Sequence, residues 1–257
     1  GEHASDNIFI NNVYGGNDIA GTIGTDDNTV DVPSELTKVG TTTGLNNIDG
    51  SWNAFVRTSP TPVTTNPADR LSLVVGSLFG GGNGDYHYTV NSTDAYKWDV
   101  TLSENNIIRG IDKPHVARTY VDLHGGTFGS AYAGGNNATV TRAANICIHN
   151  TSTPWKLAGD DNQVGTTDDV ISDADLQAMG INTEFFDQSG KYNFSSVFGG
   201  NNKAAMSIRP SWHLNNGSIE NLYSGGNEGA MNSPDGILLV VQPDDGGNLT
   251  VTNVFAG

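Results

Sequence analysis

The feature that most restricts how this chain can fold is a short cassette that recurs along it. Val13-Tyr14-Gly15-Gly16-Asn17 is the first copy, and Leu78-Phe79-Gly80-Gly81-Gly82-Asn83 is the second. Ala131-Tyr132-Ala133-Gly134-Gly135-Asn136, Val197-Phe198-Gly199-Gly200-Asn201 and Leu222-Tyr223-Ser224-Gly225-Gly226-Asn227 follow. A sixth copy, Val254-Phe255-Ala256-Gly257, runs into the end of the sequence. The aromatics stand at 14, 79, 132, 198, 223 and 255, with gaps of 65, 53, 66, 25 and 32. The two shortest gaps suit one turn of a stacked repeat, which takes roughly 20–45 residues. The longer gaps suit one or two turns plus insertions. A Gly-Gly-Asn loop without wider meaning would not carry an aromatic ahead of it five times.

Each copy reads locally as a strand running into a corner. Asn193-Phe194-Ser195-Ser196-Val197-Phe198 is short, β-prone and ended by Gly-Gly. Gly-Gly-Asn then supplies residues that tolerate positive φ, so a sharp turn is expected there. Placed on successive turns, Tyr14, Phe79, Tyr132, Phe198 and Tyr223 would stack inside the repeat. Asn17, Asn83, Asn136, Asn201 and Asn227 would form a hydrogen-bonded ladder beside them.

The expected fold is all-β, a right-handed parallel β-helix (a solenoid) with long loop insertions and at most one short helix. A β-sandwich with Gly-rich hairpins is the alternative. Residues 1–257 read as a single domain, a piece of a longer protein, with insertions near 20–70, 91–115 and 150–190. The last insertion carries the helix signal: Ser172 as N-cap, Asp175 in the first turn and Gly180 at the end. Ile237-Leu238-Leu239-Val240-Val241 reads as a buried strand.

Charge narrows the partners. Twelve Lys and Arg face 28 Asp and Glu, a formal net charge of −16, which repels nucleic acid and anionic membrane surfaces. Only 16% of residues are charged, so Asn, Thr, Ser and Gly must supply the polar surface, as in many extracellular β proteins. No apolar run approaches the ~18 residues of a membrane span, and the first residues show no signal-peptide pattern. The single cysteine, Cys147, excludes an internal disulfide. Within Asn145-Ile146-Cys147-Ile148 it reads as a packed small hydrophobe.

The two tightest copies extend beyond the Asn. Val197-Phe198-Gly199-Gly200-Asn201-Asn202-Lys203-Ala204-Ala205-Met206 and Leu222-Tyr223-Ser224-Gly225-Gly226-Asn227-Glu228-Gly229-Ala230-Met231 share one plan. The segment Phe194 to Leu239 resembles surface proteins of gut Bacteroidetes that carry such cassettes. More broadly, the chain is similar to the autotransporter-adhesin and pectin-lyase-like group of right-handed parallel β-helices. That resemblance covers about a fifth of the chain closely. It implies export and a surface or secreted role, and no particular reaction, because a fold is not a function.

Candidate chemistry is sparse. Asp160, Asp161, Asn162, Asp168 and Asp169, with Gly165, form an oxygen-rich run suited to a hard cation such as Ca²⁺. The spacing is not that of an EF-hand, since Val164 and Ile171 occupy ligand positions. Asp26-Asp27-Asn28 is a weaker second run. No organic cofactor is expected. A polysaccharide lyase would need a base facing acids in one groove, yet Arg142, Lys203 and Arg209 have no acid cluster beside them in sequence. A paired-carboxylate hydrolase remains open. No Gly-x-Ser-x-Gly elbow is present. The six histidines show no ligand spacing, and His87 reads as a strand-surface residue. Trp52, Trp98, Trp155 and Trp212 could stack on sugar rings. The functional expectation is a non-enzymatic, cell-surface or secreted adhesion or glycan-binding module. Its partner would be an extracellular glycan or a surface protein. The alternative is a carbohydrate-active enzyme, a polysaccharide lyase or glycoside hydrolase, on the same scaffold.

Overall fold

The structure is a computed structural model that describes residues 7–18, 22–23, 54–58, 72–85, 87–88, 100–101, 114–155, 173–178, 180, 189–241 and 243–256. Its strands, in chain order, are β1 (Asn7–Tyr14), β2 (Thr22–Ile23), β3 (Ala54–Thr58), β4 (Ser72–Phe79), β5 (His87–Tyr88) and β6 (Val100–Thr101). There follow β7 (His115–Leu123), β8 (Thr127–Tyr132), β9 (Thr139–His149), the short helix α1 (Asp173–Ala178), β10 (Phe194–Phe198), β11 (Ser211–Tyr223) and β12 (Leu249–Phe255).

The described chain is all-β apart from that one helical segment, and its main sheet is entirely parallel. Two rows of strands share β11. The first row runs β1-β4-β8-β10-β11-β12, and the second runs β7-β9-β11 with β2 and β3 both on β7. In the chain, β3 precedes β4, β7 precedes β8, β9 precedes β10, and the start of β11 precedes its end. β3, β7, β9 and the start of β11 therefore each lead into a first-row strand, and neighbours in each row follow chain order. β11 crosses between the rows at a register shift near Leu214–Asn216, beside Gly217 at φ +125°. A left-handed residue there lets one strand serve both rows.

Register places the cassette copies side by side. Tyr14, Phe79, Tyr132, Phe198, Tyr223 and Phe255 are successive Cα partners along the first row. Their rings stack at centroid separations of 5.1, 4.7, 4.6, 4.6 and 4.6 Å. The column lies apart from the main core. Leu78, Ala131, Val197 and Leu222, each one residue earlier, belong to the central cluster with Phe128, Phe194 and Ile219. Phe79, Tyr132 and Phe198 form a separate buried cluster flanked by Tyr14 and Tyr223. Successive strand residues point to opposite faces, so the preceding apolar residue claims the core and the ring takes the other side. The expectation of rings stacked inside the repeat is thus correct in the stacking and wrong in the side.

The ladder corrects the alignment as well. It runs from Asn227 to Asn202 (3.0 Å), Asn202 to Asn136 (2.8 Å), Asn136 to Asn83 (2.8 Å) and Asn83 to Asp18 (2.7 Å), each amide donating to the next side-chain oxygen. Every member stands four residues after its aromatic. Asn17 and Asn201 stand three after it and fall outside. Asn201 is instead fully buried: its oxygen accepts the Gly135 N–H at 2.8 Å and its amide donates to the Ala205 carbonyl at 3.1 Å.

The glycines of the cassette are there for proximity. None of those between the aromatic and the Asn has positive φ, contrary to the turn expected from the sequence. The corners stack through backbone bonds instead, Gly199 N–H to the Tyr223 carbonyl and Gly200 N–H to the Gly225 carbonyl among them. A Cβ on Gly199 would lie 2.4 Å from the Trp212 ring and 2.6 Å from the Ser224 carbonyl oxygen. A Cβ on Gly80 would lie 2.5 Å from the Ala133 carbonyl oxygen.

Other segments depart from expectation. β3, inside the excursion at 20–70, is a full member of the second row. β5 pairs antiparallel with β6 in a sheet of their own, outside the parallel rows. The run Ile237–Val241 is not a strand, and Leu238, Val240 and Val241 are exposed. The helix does form over Asp173–Ala178 and closes at Gly180, whose N–H donates to the Gln177 carbonyl at φ +70°. Ser172 lies outside the described residues.

Two stability outcomes follow. Phe198→Ala empties a slot between two stacked rings and should cost about 3–5 kcal/mol in denaturant melts. Gly199→Ala should destabilise by about 1–3 kcal/mol or more through overpacking. Gly225→Ala, whose Cβ would meet only a flexible Met231 carbon at 3.3 Å, should stay within about 0.5 kcal/mol of the parent. Equal melts for the two glycine variants would show that stack proximity is not what the cassette glycines supply.

Candidate functional site

Strand alternation in the second row sorts residues into two sets. Val121, Leu123, Ile146, Ile148 and Leu214 enter the core. The residues alternating with them, Tyr120 and Asp122 on β7, His124 just beyond its end, Cys147 and His149 on β9, and His213 on β11, take the opposite face. Register sets Arg57, Asp122, Cys147 and His213 abreast across four strands. The imidazoles of His124, His149 and His213 form a column with centroids 5.3 and 4.8 Å apart.

Asp122 is the centre of this face, and its side chain is fully buried. Arg57 Nε lies 2.9 Å from one carboxylate oxygen and His124 Nε2 lies 2.8 Å from the other. Neither contact has hydrogen-bond geometry, so Arg57 serves Asp122 as an ion-pair partner and His124 as a close polar neighbour. The Tyr120 hydroxyl donates to Cys147 Sγ at 3.0 Å, with Phe55 stacked on the Tyr120 ring at 5.5 Å. At the open end, His213 Nε2 lies 3.1 Å from the exposed Asp244 carboxylate.

Burial decides the protonation states. It pushes the Cys147 thiol up to about 12, outweighing the hydrogen bond from Tyr120, which lowers it. Burial also lowers His149 to about 4, helped by the neighbouring His213 and His124. At neutral pH the face therefore presents a neutral imidazole and a protonated thiol, and Cys147 is not an activated nucleophile. One ligand atom each from Asp122, Cys147 and His149 lies within 4.8 Å of the other two.

A second feature lies where the rows meet. An open hollow of about 330 Å³ is lined by Asn150, Thr151, Ser152, Asn193, Asn216, Gly217, Ser218, Asn248 and Thr250, with no charged side chain among them. Its inner wall is braced by its own bonds. The Asn150 amide donates to the Gly126 carbonyl, and Asn193 Oδ1 accepts from both the N–H and the hydroxyl of Ser218. Asn216 Oδ1 accepts the Asn248 N–H. The outer rim, Thr151, Asn248 and Thr250, is exposed.

The residues singled out in the sequence are placed as follows. Trp155 is buried, its ring meeting Phe9 edge-on at 5.4 Å, so it is not a sugar platform. Trp212 packs on the core and over Gly199. Trp52, Trp98 and the acidic run Asp160, Asp161, Asn162, Asp168 and Asp169 lie outside the described residues. Lys203 pairs with Asp85. The histidine column is not legible as ligand spacing within any one segment, because its members come from three segments brought together by parallel pairing. Its readable trace is Asp122-Leu123-His124 and Cys147-Ile148-His149, two polar-apolar-His triplets 25 residues apart, the same interval as Phe198 to Tyr223.

No protein-family model matches the chain, and neither does any curated protein or solved structure. Among the described residues no helix is long and apolar enough to cross a membrane.

The burial of Cys147 has a measurable consequence. A disulfide reagent at pH 8 should leave the native chain almost unmodified and label one thiol per chain in denaturant. Fast labelling of the native chain would show that Cys147 is exposed and its thiolate accessible.

Proposed function

We propose that this chain is a right-handed parallel β-helix that serves as a non-enzymatic glycan-binding module outside a bacterial cell. The β-helix reading draws on two rows of parallel strands whose neighbours follow chain order. Right-handedness is the general preference of parallel crossovers. The surface or secreted setting, and the kinship with Bacteroidetes surface proteins, rest on the resemblance of the cassettes and on the uncharged polar composition.

The observation that carries the binding reading is the hollow at Asn216–Ser218. Its volume falls within the roughly 300–1,000 Å³ usual for ligand sites. Its lining offers amides and hydroxyls that both donate and accept, which matches the hydroxyl groups of a neutral sugar. A polyanionic chain would find no cation in this lining to hold it. The rim sits on stacked strands, so the donors and acceptors are held in place before a ligand arrives.

A glycan array with the native chain tests the assignment. The expected result is binding to neutral oligosaccharides that changes little with salt concentration. Thr250→Arg, which places a long side chain at the exposed rim, should abolish that binding while leaving the melting temperature unchanged. Binding confined to acidic glycans, or retained in Thr250→Arg, would place the site elsewhere. New reducing ends or unsaturated products on incubation with polysaccharides would favour the enzymatic alternative.

A further inference from the structure

We infer that Asp122, Cys147 and His149 form a binding site for a divalent cation of the zinc class. The three side chains come from adjacent strands β7 and β9, and a ligand atom of each lies within 4.8 Å of the others. Small rotamer shifts would bring three such atoms to the roughly 2.0–2.3 Å that zinc requires of oxygen, nitrogen and sulfur. The donor set sorts the candidate cations. A thiolate and an imidazole favour zinc and its soft or borderline neighbours, whereas calcium and magnesium want oxygen alone.

The surroundings point the same way. Asp122 is fully buried, and although Arg57 Nε and His124 Nε2 approach its two oxygens, each carboxylate oxygen carries a further lone pair that can face a cation. Two anionic ligands, the carboxylate and the thiolate formed on binding, would offset the charge of a divalent ion in a buried place. The proton leaves Cys147 as the sulfur–metal bond forms, and it passes to solvent.

An outer set of contacts is already built. The Tyr120 hydroxyl donates to Cys147 Sγ, and Arg57 and His124 flank Asp122. Such partners orient metal ligands and tune their basicity. His213, whose ring lies tilted 37° against His149 at 4.8 Å and which reaches Asp244, borders the remaining side. Three protein ligands leave a fourth position for water or for a further group from this face. None of its residues belongs to the oxygen-rich run at 160–169.

The single cysteine makes the test specific. The full chain, reduced and stripped of metal with a chelator, is titrated with Co²⁺ under native conditions. The expected result is one Co²⁺ per chain with a sulfur-to-metal charge-transfer band, which only Cys147 can produce. Zn²⁺ should bleach that band at equal stoichiometry. His149→Ala, checked for native circular dichroism, should weaken Co²⁺ binding at least tenfold. Should that variant not fold, the parent titration still decides the matter. Saturation without a thiolate band, no uptake at all, or an identical band in the unfolded chain would each overturn the assignment.

Discussion

At Gly199 and Gly200 the backbone passes so close to its neighbours that no side chain fits. A Cβ on Gly200 would stand 2.6 Å from the Gly226 nitrogen, and one on Gly226 would stand 2.5 Å from the Asn201 carbonyl oxygen. That closeness lets one corner hydrogen-bond to the next through its main chain, as the Gly199, Gly200 and Asn227 amides do. Polar backbone that leaves a strand would otherwise need water or side chains to satisfy it. The corner thus becomes a continuation of the sheet, and the strands on either side are locked in register by it. Ring stacking, the amide ladder and the core columns all depend on that register.

The register also explains why the two faces of the second row differ so sharply. Once Val121 aligns with Ile146 and Leu123 with Ile148, alternation sends Asp122 and Cys147 together to the other face. A one-residue slip would exchange the two sets and place a carboxylate in the core. Core packing therefore fixes the spacing of the polar cluster, and Asp122, Cys147 and His149 are held by strands rather than by loops. Rigid strand placement is what a metal or a sugar hydroxyl requires of its ligands, because it removes much of the ordering cost of binding.

The aromatic column shows how a repeated residue type serves a structural end without being central to the core. The rings hold 4.6–5.1 Å spacing along six copies, close to the strand separation itself. Offset stacking at that distance adds to area burial. Tyr132 meets the demand of its polar tip by donating to Asn202 Oδ1 at 3.3 Å, and burial pushes its hydroxyl up to about 12. The column is thereby tied to the ladder four residues on.

What the sequence determined by itself was the repetition. An aromatic followed at short range by small residues and Asn, five times over, already required equivalent environments, and the parallel stack supplies them. It also marked the helix at Asp173–Ala178, whose signals are local. Three things were decided only in three dimensions. The ladder position was one, because copies with two and with three residues between the aromatic and the Asn can be aligned on either, and only the stacking register chooses the aromatic. The reason for the glycines was another, because a positive φ and a close approach both call for glycine in a sequence. The third was the Asp122, Cys147 and His149 cluster, together with the hollow beside Gly217. The cluster spans residues 122 to 149 and the hollow residues 150 to 250, and parallel pairing between distant strands is what makes their members neighbours.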